Sequence, residues 1–274
     1  MKRQKRETKK ERKARDYAQF GARPPAAPVV PKIPSAIKAQ LQRVAGRVAT
    51  ALKARTEAGA IAAARAAAGE MDSALDQALR TTGKRRACAQ GCSYCCKGLR
   101  VEVAVPEVVR IVDHLRSKLD AATNARIAER SRANAEQTHG KELLQYPVRL
   151  PCALLADDGA CLAYEARPVA CRMEHSMDAA ECKVGHDVST LGSDYPVPRI
   201  FELQVASAPV MLGTSQGVRD AVGDASPCEL QEALHIALSD PTAIGRWLEG
   251  DDAFAVARVG QEQPPTPFVQ LRRP

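Results

Sequence analysis

The chain has 274 residues, a length suited to one or two domains. Hydrophobic residues make up 45% but aromatics only 4%, so a core must be built from Ala, Leu and Val. No apolar run approaches the ~18–20 residues of a membrane helix; the longest Ala-rich stretch, 58–69, is broken by Arg65. Net charge is +8, yet the first fifteen residues hold nine Lys or Arg against two Glu. The remainder is therefore almost neutral, which argues against a large nucleic-acid groove. The basic start lacks the apolar stretch of a signal peptide, so a cytoplasmic, reducing location is expected.

Residues 1–34 read as a basic, disordered arm followed by a Pro-rich linker. The arm could touch nucleic acid or an acidic surface, weakly and without sequence preference; a solubilising tail is the simpler account. Residues 35–82 form an Ala-rich helical segment. Ile37, Leu41, Val44, Val48 and Leu52 fall at helical spacing, and Gly59 or Gly69 marks a possible break. After the first cysteines, the alternating run Leu99-Arg100-Val101-Glu102-Val103-Ala104-Val105 suits a strand. Pro106 then opens an amphipathic helix carrying Val108, Val109, Val112, Leu115 and Leu119. A polar helix is expected over 121–138. Two apolar segments flank Asp158-Gly159, the signal for a small β-hairpin. Ser226-Pro227-Cys228-Glu229 has the form of a capping box and predicts a helix running to about Leu238. Asp240-Pro241 repeats the start signal before a short helix containing Trp247. The last residues read as a loose tail.

Nine cysteines are the anomaly. In a reducing compartment a cysteine cluster more often binds metal or does redox chemistry than forms disulfides. The first group is Cys88-x3-Cys92-x2-Cys95-Cys96; the second is Cys152-x8-Cys161-x9-Cys171-x10-Cys182. A tight loop can supply several thiolates to one centre, and distant segments can complete the shell. Cys95 and Cys96 are neighbours whose bonds leave the backbone in different directions. Either one is a bystander, or the two serve different metal atoms. Cys228 stands alone and reads as an ordinary core or surface thiol.

The combination Cys88-x3-Cys92-x2-Cys95-Cys96, Pro151-Cys152-Ala153-Leu154-Leu155 and Cys161-x2-Tyr164-Glu165-x-Arg167-Pro168-x2-Cys171-Arg172 resembles the putative zinc- or iron-chelating cysteine-cluster proteins. These are the YkgJ-like or CxxCxxCC family, mostly bacterial. The likeness covers residues 88–182. It implies metal binding through eight cysteines, with an iron–sulfur cluster or zinc as the cofactor; many members have two residues, not three, between the first two cysteines. A related motif occurs in the longer flagellin lysine methylases. The three-cysteine signature of radical SAM enzymes is also matched by Cys88, Cys92 and Cys95, but the chain lacks the long series of strand–helix units which that fold needs after the motif.

The resulting expectation is a mainly α protein: a long N-terminal helical segment (35–82), a compact metal-stapled Cys-rich centre with a small hairpin (83–190), and C-terminal helices (191–274). The metal ligands are Cys88, Cys92, Cys95, Cys96, Cys152, Cys161, Cys171 and Cys182, whose sulfurs should gather into one or two clusters of metal-binding size. His175 or His186 could replace a thiolate, although each also reads as a polar surface residue. His114 reads as a helix-face residue. Arg167, Arg172 and Lys97 could offset thiolate charge; an Arg167–Glu165 salt bridge is an alternative. Tyr164 should pack on the cluster, and Pro168 should turn Cys171 inward. An iron–sulfur oxidoreductase or modifying enzyme, and an adaptor with a purely structural metal, remain as alternatives. No HExxH, phosphate loop or dinucleotide fingerprint is present.

Overall fold

The structure is a computed structural model. It describes residues 34–89, 91–98, 100–139, 150–189 and 197–259, without the side chains of Val188 and Ser189. The basic arm, most of the Pro-rich linker, Leu99 and the C-terminal tail lie outside the described residues. The chain divides into two units, Met1–Ser35 and Ala36–Pro274, of which the second carries the helical body and all nine cysteines.

Helix α1 (Ser35–Leu52) buries Val44, Val48 and Leu52 from the expected stripe, while Ile37 and Leu41 are only partly covered. Helix α2 (Glu57–Thr82) follows. The break therefore falls at 53–56, not at Gly59 or Gly69. Thr56 caps α2 through its Oγ1, which accepts the Gly59 N–H at 3.1 Å. Arg55 takes a left-handed φ of 48° and donates to the carbonyls of Leu248 and Ala221. These long-range bonds hold a reversal that the helix-forming sequence around it does not announce. Gly59 is needed just after the turn, because a Cβ there would lie 2.5 Å from the Ala51 carbonyl oxygen.

Helix α3 (Val105–Lys118) starts as expected, with Pro106 in its first turn. Helix α4 (Ala121–Thr138) is capped by Asp120, whose Oδ1 accepts the Thr123 N–H. Two short helices come next: α5 (Val169–Met173) and α6 (Ala179–Ser189). Helices α7 (Phe201–Val222), α8 (Leu230–Ser239) and α9 (Ala243–Glu249) complete the fold. The core lies where α2 packs on α3 and α7, and where α8 packs on α3 and α4. It is built largely of Ala, Val and Leu, as the low aromatic content requires.

The expected strand survives as β1 (Glu102–Val103), paired antiparallel with β2 (Cys228–Glu229). That pairing displaces the expected start of α8. Glu229, not Ser226, is the cap: its carboxylate accepts the N–H groups of Gln231 and Glu232. Cys228 is a strand residue, 1% exposed and in the core. The Asp158-Gly159 signal yields a turn closed by a single antiparallel bridge, Leu155 to Cys161, rather than a regular two-stranded hairpin. Among the described residues, the fold is mainly α, and no helix is long and apolar enough to cross a membrane.

Candidate metal centre

Six of the eight clustered cysteines sit on short irregular segments, and Cys171 and Cys182 lie on short helices. Cys95 and Cys96 open a single 3-10 turn, Cys95–Lys97. Cys152 and Cys161 occupy two matching turns. In each, the cysteine carbonyl accepts the N–H three residues on, Leu155 at 3.0 Å and Tyr164 at 3.1 Å. The backbone two residues on, at Leu154 or Ala163, favours the cysteine thiolate against burial. Cys171 lies on α5, which Pro168 caps by accepting the Arg172 N–H at 3.0 Å. Cys182 lies on α6.

Backbone contacts draw these segments together. Cys152 N–H donates to the Cys96 carbonyl at 2.8 Å, joining the two groups directly. Ala87 N–H donates to the Ser176 carbonyl at 2.8 Å, bringing the start of the first group beside the segment that leads to Cys182. Gly159, at a φ of 84°, brings its turn against the first loop; a Cβ there would meet the Gly91 carbonyl oxygen at 3.2 Å and Ser93 Oγ at 3.3 Å. From α4, Arg130 donates to the carbonyls of Leu155 and Cys152 at 2.6 and 3.0 Å and fixes the Cys152 turn.

The sulfurs consequently feel one another's charge. Cys88 interacts with Cys92, Cys95 and Cys182, and Cys182 with Cys92 and Cys95. Cys96 interacts with Cys95, Cys152 and Cys171, and Cys171 also with Cys161. Cys95 reaches into both sets. Burial pushes the Cys88, Cys161, Cys171 and Cys182 thiols up, Cys171 well above its ordinary value and Cys152 to about 11. In the adjacent pair, 3.9 Å apart, the shared hydrogen bond lowers Cys95 and raises Cys96. The expected clusters of metal-binding size are not formed: among the described residues, no three His, Cys, Asp or Glu side chains are placed to hold a metal ion as they stand. All nine cysteines are free thiols. Eight soft donors from several segments, with N–H groups reaching the Cys88 and Cys152 sulfurs, suit zinc or iron in chemistry.

The neighbouring residues divide by role. His175 is buried, not on the surface, and its ring is fully used. Nδ1 lies 2.7 Å from the Met173 carbonyl, and Nε2 accepts the Ile200 N–H at 2.8 Å. It ties the segment after α5 to the start of α7 and has no lone pair to give a metal. His114 contacts the Leu162 carbonyl through Nε2 at 3.1 Å. His186 stacks obliquely near Tyr94, with ring centroids 6.1 Å apart. Arg172 is structural: it donates to the carbonyls of Arg167 and Glu165 and pairs with Asp72 of α2. Arg167 stacks over the Tyr164 ring at 3.9 Å instead of pairing with Glu165. Its charge pulls the Cys161 and Cys171 thiols down against burial. Tyr164 is 45% exposed, so it shields Arg167 more than it covers sulfur. Lys97 sits over Tyr94, 5.2 Å from the ring centroid.

Arg130, Gln231 and His175's structural role were not legible in the sequence, since their partners are mostly backbone groups or a sulfur remote in the chain. No periodicity or spacing marks such contacts.

Geometry and donor chemistry together define a cysteine-rich, thiol-lined centre. Residues 87–189 match the model of the CxxCxxCC family, described as a putative zinc- or iron-chelating domain. No curated protein and no solved structure matches the chain.

Proposed function

We propose that the protein binds zinc or iron through two groups of four thiolates. Cys88, Cys92, Cys95 and Cys182 form one group; Cys96, Cys152, Cys161 and Cys171 form the other. The adjacent Cys95 and Cys96 then serve different metal atoms, which removes the difficulty of two neighbours chelating one ion. An iron–sulfur centre is the favoured form, because a multi-atom centre uses such a pair naturally; zinc satisfies the same donors.

The observation that carries this reading is the direction of the N–H groups. Ser176 N–H reaches Cys88 Sγ at 3.3 Å, and the Gln231 side-chain N–H reaches Cys152 Sγ at 3.3 Å. Donors aimed at sulfur favour thiolate over thiol, and hydrogen bonds to ligand sulfurs tune metal centres. A cysteine that merely fills core volume gains little from them. Binding would crosslink segments up to 94 positions apart and so couple metal to folding.

Anaerobic purification followed by metal and acid-labile sulfide analysis tests the reading. Iron with sulfide and a brown colour identifies an iron–sulfur centre; colourless protein with zinc identifies zinc. Cys92→Ser and Cys161→Ser should each lower metal content. Wild-type content in both variants would overturn the proposal.

A further inference from the structure

Gln231 lies in the first turn of α8, outside the matched segment 87–189, and is only 8% exposed. Its Oε1 accepts two hydrogen bonds, from the Ala153 backbone N–H at 3.0 Å and from Asn134 Nδ2 at 3.1 Å. A backbone N–H can only donate, so the oxygen must face Ala153 and the amide cannot flip. Asn134 is oriented in turn, its Nδ2 also donating to the Pro151 carbonyl at 2.9 Å. The NH2 group of Gln231 is thereby directed the other way, and Nε2 lies 3.3 Å from Cys152 Sγ. The Gln231 backbone is fixed as well, its N–H held by Glu229 Oε2 at 2.8 Å.

A neutral amide donor gains little from a thiol but substantially from a thiolate, since bonds to ionised acceptors are roughly twice as strong. Two structural donors fix one buried amide, whose NH2 group is left to the sulfur. We propose that Gln231 is a positioning residue of the metal centre: it orients the Cys152 sulfur and withdraws charge from it, so that α8 forms part of the site. This rests on the reading that Cys152 is a ligand. The same amide links α4, the Cys152 turn and α8, so metal bound at Cys152 also couples to the C-terminal helices.

Cobalt(II) binding to the full-length protein tests this, with absorbance reporting sulfur-to-cobalt charge transfer. Gln231→Leu removes the donor. Gln231→Glu keeps the shape and both accepted hydrogen bonds but sets a carboxylate against the thiolate, and circular dichroism checks that each variant is folded. The expected result is cobalt affinity lowered on the order of 10-fold in Q231L and nearer 100-fold in Q231E, the range found for groups that support metal ligands. The charge-transfer band should move in both, which a purely structural role would not produce. Wild-type affinity and unmoved bands in Q231E, with cobalt binding weakened by Cys152→Ser, would overturn the inference and leave the metal reading standing. If Cys152→Ser binds cobalt as wild type does, or wild type binds none, the ligand reading fails and the inference with it.

Discussion

Replacing Glu107 by Ala should destabilise the fold by about 3 kcal/mol and disturb the placement of Cys171. Glu107 is 4% exposed and its two oxygens serve two separate elements. Oε2 accepts the Ala104 N–H at 2.8 Å, closing the N-terminus of α3. Oε1 accepts the buried Val169 N–H at 2.7 Å, at the start of the helix that carries Cys171. Leaving the Val169 donor unpaired costs about 1–3 kcal/mol, and losing a helix cap costs about 1 kcal/mol. Relief of the buried carboxylate's desolvation offsets part of this. Urea unfolding at neutral pH, with metal content matched, reads the difference. A loss below about 0.5 kcal/mol would refute the view that this side chain joins α3 to α5. Burial pushes the Glu107 carboxyl up, against the two backbone hydrogen bonds and the charges of Arg110 and Arg172. Its folded value therefore lies above its unfolded one. Compared with Glu107→Gln, wild-type stability should be greatest below the ordinary carboxyl value and fall as pH rises through the raised one.

Other substitutions probe the helical frame. Burial pushes Glu70 up, but hydrogen bonds from Arg43 and Arg47 outweigh it and hold the carboxyl below its ordinary value. The stability this gives is present above the unfolded value and lost as pH falls through the depressed one. Glu70→Gln should therefore cost about 1 kcal/mol at neutral pH and nothing in strong acid; an equal loss at both would contradict the pairing. Two glycines should respond oppositely in thermal melts. A Cβ on Gly217 of α7 would lie 2.5 Å from the Ala45 carbonyl oxygen and 2.7 Å from Val48 Cβ, whereas one on Gly69 of α2 meets nothing within 4 Å. Gly217→Ala should lose roughly 1–3 kcal/mol, and Gly69→Ala should gain about 0.5–1 kcal/mol; a gain in both would show that α1 and α7 are not in close contact there. Burial also pushes the Cys228 thiol up to about 12, so alkylation of the native protein should spare it. Modification at the rate of an exposed thiol would refute its place in the core.

Helical periodicity made most of the frame legible: the α1 stripe, the Pro106 start and the polar helix over 121–138 all come from local pattern. Boundaries set by long-range pairing did not. The Ser226 capping box is a sound local signal, but β1 recruits Cys228 and Glu229 first, and Glu229 is then free to cap α8. Likewise, nothing near Arg55 forecasts a left-handed residue, because its support comes from carbonyls at Ala221 and Leu248. The cysteine spacing pointed to the proposed centre, since ligand chemistry leaves a compositional mark. Its supports left none: Glu107, Arg130, His175 and Gln231 act mainly on backbone groups or on a sulfur far along the chain, and their residue types are common.

The central claim is that sulfur supplies the metal's immediate environment. X-ray absorption at the metal edge of anaerobically prepared protein measures this directly. The account predicts a first shell dominated by sulfur at about 2.3 Å, with added iron–iron scattering if the centre is an iron–sulfur cluster. A shell of oxygen or nitrogen scatterers near 2.0–2.1 Å would contradict it.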